Sequence, residues 1–325
     1  MNHDNGKINS RLLPLTNDLV FKAVYGRNTE ASNAALIALL NRLLQREKDP
    51  IVWLKCKNPF SYKTYEGEKE IVMDIKVQLS SGQLLDLEMQ VDHLGAYINR
   101  SIFYMGKLIN ESLESGEDYD KMRETIVISI VNRTLFPQFE KVFSTYYLKE
   151  DDENHKLSEI TSINFLELGK IDIATKAIDE MTPHERLGAY FKYVADDSKQ
   201  ELIDQLLKYE GEVIDLTFPI LEEISAEQEM RELAEARRRY RYDVNTARSV
   251  GYREGKLDGI EQGIEQGIEK KTIQIICKSY QKSLSISDIA DFADVTEEYV
   301  NEVLDVAQRV NFDLEKIYKA FEKII

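Results

Sequence analysis

Two short segments with alternating apolar and polar residues hold the acidic side chains best placed for chemistry. The polar positions are Asp74, Lys76 and Gln78 in the first segment and Asp86, Glu88 and Gln90 in the second. Carboxylate oxygens are the ligands that Mg²⁺ prefers, usually one or two of them together with waters and phosphate oxygens. An ion held in this way could activate a water molecule and neutralise charge on a phosphodiester.

The connection between the segments, Ser80-Ser81-Gly82, is typical of a three-residue hairpin loop with glycine in the left-handed position. Pairing Leu79 with Gln83 and counting outward predicts that Asp74 lies directly opposite Glu88. Two adjacent carboxylates repel each other unless a cation lies between them. A solvated outer face of an amphipathic hairpin accounts for the same spacing, and the hairpin pattern alone favours that simpler interpretation.

Helices and strands are both predicted around this hairpin, which indicates an α/β or α+β domain. The first helix is expected to begin at Thr16-Asn17-Asp18, which has the residue types of a helix start. Further helices are expected at about 31–46 and 96–114, and strands at 125–131, 139–148 and 163–168.

Downstream of this domain the pattern is helical and charged, and it predicts three further regions. The expected boundaries are 1–170 for the α/β domain, 171–250 for a helical extension, 251–271 for a glycine-repeat helix or linker, and 272–325 for a small helical tail. The tail resembles a helix-turn-helix, but its second helix, residues 296–303, is acidic and would repel phosphates. We therefore expect the tail to pack rather than to bind DNA.

Glycine recurs at every fourth position from 251 to 267, which on a helix would form one stripe of small residues. Such a stripe could bring a second copy of the helix close and make a homo-oligomer. Glycine also costs about 1 kcal/mol per position relative to alanine in a helix. A flexible, partly helical linker is therefore an equally good interpretation.

The composition excludes several classes of protein. The two cysteines, Cys56 and Cys277, are far apart, the four histidines lack zinc-ligand spacing, and no apolar run could cross a membrane or act as a secretory signal. We therefore expect a cytoplasmic protein. The net charge of -16 is uneven, with 19 basic and 20 acidic residues in 1–150, so the charge neither supports nor forbids DNA binding.

Several stretches resemble the PD-(D/E)XK transposase-like nucleases, a branch that includes recombination-promoting nucleases. The matching stretches are Asn17–Lys22, Glu68–Val77, Gly82–Gln90, Tyr97–Tyr104, Gly116–Tyr119, Ile126–Val131 and Leu166–Lys170. The resemblance is strong over about 11–170 and looser to about 270. It implies a restriction-endonuclease-like core, in which helices flank a mixed sheet, and DNA as the partner.

The resemblance also implies roles for individual residues. Asp74 and Glu88 take the places of the family's acidic ligands, and together with the backbone carbonyl of Met89 they would bind Mg²⁺, for which Mn²⁺ can substitute. Gln90 stands where the wider superfamily has lysine, although glutamine is common in this branch. Glutamine can orient water by hydrogen bonds but offers no positive charge to the phosphate, so a slower or more metal-dependent enzyme is expected.

Three residues are auxiliary candidates, each with a simpler alternative. Lys76 could partly replace the missing charge or pair with Asp86 across the hairpin. Asp18 could add an outer contact to the metal or merely favour the dipole of its own helix. Arg100, one helical turn from Tyr104, could meet a DNA strand or form a surface ion pair.

A basic cluster, residues 237–241, could likewise hold the DNA backbone or line a solvated helix face. Taken together, the sequence predicts a metal-dependent DNA endonuclease linked to recombination or transposition. The alternative is a catalytically weak or inactive nuclease fold that acts as an oligomeric interaction module for DNA or protein.

Overall fold

The computed structural model describes residues 12–58, 60, 75–90 and 97–321, and the chain divides into two compact units, Met1–Arg241 and Tyr242–Ile325. Asp74 and the adjoining residues 61–73 lie outside the described residues, as do residues 91–96. None of the helices in the described ranges is both long enough and apolar enough to cross a membrane.

Two helices open the first unit, and both begin at a side-chain cap. In α1 (Asp18–Tyr25) the side-chain oxygen of Asn17 accepts hydrogen bonds from the backbone N–H groups of Leu19 and Val20. These bonds satisfy donors that the first turn of a helix otherwise leaves without partners. Thr29 caps α2 (Glu30–Leu44) in the same way. Both helices were predicted from the sequence, and both are confirmed.

A six-stranded mixed sheet forms the centre of this unit. The strands are β1 (Leu54–Cys56), β2 (Ile75–Leu79), β3 (Leu84–Gln90), β4 (Thr125–Val131), β5 (Phe143–Tyr146) and β6 (Thr161–Glu167), in the order β1-β2-β3-β4-β6-β5. The pairs β3–β4 and β4–β6 are parallel, and the other neighbours are antiparallel. The predicted mixed sheet with flanking helices is confirmed.

The hairpin between β2 and β3 has the predicted loop and the predicted register. The N–H of Leu79 donates to the carbonyl of Gln83 at 2.9 Å, and Gly82 has a φ of +84°. Lys76 pairs with Asp86, and Ile75, the first residue of β2, pairs with Leu87. The left-handed backbone at Gly82 explains why this loop contains glycine.

The remaining strands differ from the prediction in length. Strand β1 was not predicted, because three residues are too few to show a period of two. The strand expected at 139–148 is only Phe143–Tyr146, since residues 139–142 have no regular structure and an isolated bridge follows at Lys149. Strand β6 begins at Thr161, two residues before the predicted position.

Helices cover both faces of the sheet. Helix α3 (Tyr97–Glu111) packs on one face, and α1, α2, α4 (Pro183–Tyr193) and α5 (Gln200–Ala226) share the large core on the other. Leu187 and Leu221, from the predicted helical extension, lie in the same core as Phe21 and Leu87. The helices after residue 170 therefore belong to the same compact unit as the sheet, because they cover a face that would otherwise be exposed.

Helix α6 (Gln228–Gln281) begins in the first unit, and its residues from Tyr242 onward belong to the second. The second unit also contains α7 (Ile286–Ala293), α8 (Glu297–Arg309) and α9 (Leu314–Phe321), which surround a small core that includes Ile276, Val303 and Phe321. The glycine repeat is helical, and a Cβ atom added at any of its five glycines would meet nothing within 4 Å. Whether the repeat makes an oligomer stays a prediction.

Candidate active site

Glu88 lies near the end of β3, an inner strand of the sheet, and its side chain is only 2% exposed. Successive side chains of a strand point to opposite faces. Leu87 and Met89 therefore enter the large core, whereas Glu88 points to the face on which α3 packs. Burying a carboxylate is costly unless other groups compensate its charge and its hydrogen-bonding capacity. The groups around Glu88 therefore determine what this position can do.

Two side chains from the start of α3 bind the Glu88 carboxylate. The hydroxyl of Tyr97 donates a hydrogen bond to Oε2 at 2.9 Å, and Nη2 of Arg100 donates to Oε1 at 2.8 Å. Tyr97 is itself buried, with its ring 6.3 Å from that of Phe165. Nε of Arg100 donates to the hydroxyl of Tyr104 at 2.9 Å. The first turns of α3 thus fix both oxygens of Glu88.

The two partners of Glu88 differ in charge and in exposure. Burial, and then the charge of Glu88, raise the pKa of Tyr97 well above its usual value, so this hydroxyl is a neutral donor. Burial lowers the pKa of Arg100, but the neighbouring Glu88 charge opposes this, and the net shift is upward. The Arg100 side chain is 41% exposed. Among the residues that the structure describes, Arg100 is the cation that pairs with this buried negative charge, and it is partly in water.

The auxiliary candidate Lys76 lies opposite Asp86 in the backbone register, as predicted. Its ammonium group, however, pairs with both carboxylate oxygens of Glu111 on α3, at 3.0 and 3.1 Å. A lysine side chain is long enough to reach past the neighbouring strand to the end of that helix. The recorded ion pair of Lys76 is therefore with Glu111 rather than with Asp86.

The auxiliary candidate Asp18 is buried at the start of α1 and pairs with two arginines of α6. Arg237 donates to Asp18 Oδ2 from Nη2 at 2.9 Å and from Nε at 3.2 Å, and Arg241 also contacts Oδ2. Arg238 and Arg239, from the same basic cluster, are exposed and pair with Glu235. The cluster is thus divided between a buried ion pair and a solvated helix face, and the metal contact of Asp18 stays a prediction.

The remaining residues of the predicted site fall at the edge of the described region. Gln90 is the last residue of β3 and is half-buried, and its backbone carbonyl accepts a hydrogen bond from the N–H of Asn132 at 3.0 Å. The side chain of Met89 is buried in the core. Asp74 directly precedes β2 and lies outside the described residues.

A divalent metal site requires several oxygen donors close together. Within residues 12–58, 60, 75–90 and 97–321, no group of three or more His, Cys, Asp or Glu residues could hold a metal ion. Glu88 and Gln90 nevertheless provide the oxygen donors that suit Mg²⁺. A carboxylate has about four lone-pair positions, and Tyr97 and Arg100 each use one of those of Glu88. The described residues therefore fit part of the ligand set of a magnesium site, and a complete site would require further ligands.

Comparison with known proteins identifies the family. Residues 15–250 match the model of the PD-(D/E)XK nuclease family transposases. The chain belongs to this family. No curated protein matches the chain, and no solved structure does. The match to the PD-(D/E)XK family spans the sheet, helices α1 to α5 and the beginning of α6, which supports a nuclease or transposase-like role.

Sequence reasoning missed the part played by Tyr97 in this PD-(D/E)XK chain. Tyr97 lies in a motif that resembles the family, but nothing in its spacing indicates a contact with Glu88, nine residues away. The sequence signal for this contact is indirect. A helix that directly follows an inner strand packs back on the sheet, so polar residues in its first turn can meet polar residues of that strand. Arg100 was predicted as an auxiliary residue, and its contact with Glu88 was not.

Proposed function

We propose that this protein is a divalent-metal-dependent endonuclease that hydrolyses DNA phosphodiesters during recombination or transposition. The observation that carries the proposal is the state of Glu88. It is a buried carboxylate on an inner strand of a PD-(D/E)XK fold, and its partners in the described part of the chain include a neutral tyrosine and a half-exposed arginine.

The charge at Glu88 favours the binding of a further cation. A buried ion pair is stable only when its geometry is good and the remaining lone pairs are satisfied. Arg100 supplies one positive charge, which water partly screens, and Tyr97 supplies none. The β2–β3 register pairs Ile75 with Leu87, and continuing it by one residue would bring Asp74 opposite Glu88. Two acids in that arrangement would repel each other without a cation between them.

Each residue of the proposed site has a distinct role. Asp74, Glu88 and the backbone carbonyl of Met89 would hold Mg²⁺, and Mn²⁺ could substitute. A bound ion of this kind polarises the phosphate and lowers the pKa of a coordinated water. Gln90 would orient the attacking water through its amide, and Tyr97 keeps the Glu88 carboxylate in position. Because Gln90 carries no charge, we expect slower cleavage than with a lysine at this position.

DNA is the proposed substrate and the cytoplasm the proposed location. The near balance of charge in residues 1–150, against the acidic remainder of the chain, leaves the α/β unit free to meet a phosphate backbone. The free cysteines Cys56 and Cys277 are both buried, which is compatible with a reducing compartment.

Plasmid nicking in Mg²⁺ or Mn²⁺ tests the proposal. Asp74→Asn and Glu88→Gln remove one charge each and keep the shape of the side chain, and we expect both to abolish nicking. Glu124→Gln is the matched control, because Glu124 is an acid of the same unit whose recorded ion pair, at 3.2 Å with Arg46, lies outside the proposed site. Circular dichroism checks that each variant is folded. The proposal is contradicted if nicking survives in both site variants. It is also contradicted if the wild type nicks DNA neither in Mg²⁺ nor in Mn²⁺.

The second candidate is a catalytically weak protein that acts as an oligomeric interaction module. It is favoured by the exposed side chains of Ile260, Ile264 and Ile268, which recur with the glycine repeat of α6. Light scattering coupled to size exclusion measures the oligomeric state. A stable oligomer that Ile264→Asp dissociates, in a wild type that does not nick DNA, would favour this candidate.

A further inference from the structure

The proposed site has a neutral glutamine at the position where a positive charge would face the phosphate. In the described part of the chain, Lys76 and Arg100 are the two predicted auxiliary cations that could supply this charge. Lys76 gives its ammonium group to both oxygens of Glu111, whereas Arg100 binds a single oxygen of Glu88. The arginine is therefore the cation that lies at the proposed metal ligand itself.

We propose that Arg100 is a catalytic residue that contacts the scissile phosphate and supplies the positive charge that Gln90 lacks. This inference rests on the proposed nuclease function. In the hydrolysis, the oxygen of water forms a new bond to phosphorus, the bond from phosphorus to the leaving sugar oxygen breaks, and the proton lost by the water reaches that oxygen through solvent. Arg100 transfers no proton, and it stabilises the negative charge on the non-bridging oxygens.

The geometry of Arg100 suits this role. Its guanidinium group is anchored at one edge by Nε, which donates to Tyr104, and at another by Nη2, which donates to Glu88. Among the described residues, Nη1 donates no hydrogen bond to the protein. The side chain is 41% exposed, so an incoming phosphate can reach it. The planar guanidinium group can donate two parallel hydrogen bonds to a phosphate.

Tyr97 and Arg100 differ in burial and charge, and this difference argues against a purely structural role for Arg100. Tyr97 is buried and neutral, and it already fixes one oxygen of Glu88. Arg100 fixes the other oxygen while it remains partly in water. Once a metal neutralises Glu88, the attraction that holds Arg100 there weakens, and its charge becomes available to a phosphate next to the same carboxylate.

The test uses four variants of the full chain. Arg100→Gln removes the charge, Arg100→Lys keeps it without the planar donor geometry, and Arg100→Gln combined with Gln90→Lys moves the charge to the neighbouring position. Lys107→Gln is the matched control, because Lys107 is an exposed cation of the same helix, near the ring of Phe103. Single-turnover cleavage in Mn²⁺ and DNA affinity in Ca²⁺ at several salt concentrations are measured for each variant.

We expect Arg100→Gln to slow cleavage about 100-fold, as the loss of one donor to a developing charge typically does. Adding Gln90→Lys should recover at least about tenfold of that loss, because it restores a charge at the phosphate. The slope of log affinity against log salt should decrease in magnitude by about 0.9 in Arg100→Gln relative to Lys107→Gln, as expected for one lost phosphate contact. If Arg100 only positions Glu88, adding Gln90→Lys should not restore cleavage, and the salt slope of Arg100→Gln should equal that of Lys107→Gln.

Two results would overturn the inference while the proposed function stands. Cleavage by Arg100→Gln at the rate of Lys107→Gln is one, and slow cleavage with no rescue by Gln90→Lys and an unchanged salt slope is the other. If the wild type cleaves DNA in neither metal, the nuclease proposal fails. The salt slope still tests whether Arg100 contacts a phosphate. Equal slopes for Arg100→Gln and Lys107→Gln then exclude the phosphate contact of Arg100.

Discussion

Two buried glutamates of the first unit, Glu88 and Glu210, meet their surroundings in different ways. Glu210 lies at a kink inside α5 and accepts hydrogen bonds from Arg42 at 2.5 and 2.6 Å and from Arg186 at 2.8 Å. Two arginines from two other helices therefore share one carboxylate. Within the described ranges, Glu88 pairs with one arginine, which is half-exposed, and with a tyrosine that carries no charge.

The difference separates a structural ion pair from a site that can bind a ligand. Around Glu210 the protein itself supplies the positive charge, so a further cation would be repelled. Around Glu88 the described residues supply two hydrogen bonds and one partly screened positive charge, and the proposed divalent ion would add further positive charge. Burial and ion pairing alone therefore do not identify a metal ligand.

The largest effect is expected at Glu210. Replacing it with glutamine leaves Arg42 and Arg186 largely buried without a negative partner, and the free energy of unfolding should fall by about 3–5 kcal/mol. Urea unfolding monitored by circular dichroism measures this loss. Cleavage per folded molecule should be unchanged, and a selective loss of cleavage would break the contrast with Glu88.

The next effect is the response of stability to metal. Binding to the folded state alone stabilises the wild type by about 2.7 kcal/mol when free Mn²⁺ is at 100 times its dissociation constant. Glu88→Gln should abolish this gain because it removes a ligand charge. Glu124→Gln, whose carboxylate pairs elsewhere, should retain the gain. Equal stabilisation of Glu88→Gln and of the wild type would mean that the metal binds away from Glu88.

The local part of the site was predictable from sequence, because loop length and residue alternation are local properties. Ser80-Ser81-Gly82 set the register, and the register put Lys76 opposite Asp86 and Ile75 opposite Leu87. A strand of three residues such as β1 carries no such period. The first turn of α1 was recognised from Asn17 for the same local reason.

The long-range contacts were not predictable, because they depend on how helices pack. Asp18 looks like an ordinary first-turn acid, and its arginine partners follow 219 and 223 residues later in α6. Glu210 looks like a surface residue of a charged helix, and Arg42 precedes it by 168 residues. The contact between Tyr97 and Glu88 spans only nine residues, but it depends on the packing of α3 against the sheet.

A smaller effect is expected when each of the two partners of Glu88 is replaced. Tyr97→Phe removes a buried hydrogen bond to a charged group and should lower the free energy of unfolding by about 1.5–3 kcal/mol. Arg100→Gln should cost less than this, because water partly screens the half-exposed arginine and a glutamine amide can still donate a hydrogen bond to Glu88. Urea unfolding of both variants gives the comparison. A larger loss for Arg100→Gln would make Glu88 resemble Glu210, with an arginine that mainly stabilises the fold.

The smallest effect is a pH dependence that originates beside Glu210. The ring of His184 stacks on Phe143 at 4.0 Å, and its Nε2 hydrogen-bonds to the carbonyl of Leu43 at 2.8 Å. Burial lowers the pKa of His184 below its ordinary 6.5, and the charge of Arg42 adds to this, against the opposing effects of the Leu43 hydrogen bond and Glu210. The folded state thus favours the neutral ring.

Because the folded pKa is below the unfolded value, the unfolded chain binds more protons as the pH falls. The contribution of His184 to stability is therefore fully present above about pH 6.5 and is lost as the pH falls through the folded pKa. His184→Gln should weaken the decline of the unfolding free energy over this window, as measured by urea unfolding at a series of pH values. An unchanged decline in that variant would assign the pH dependence to other groups.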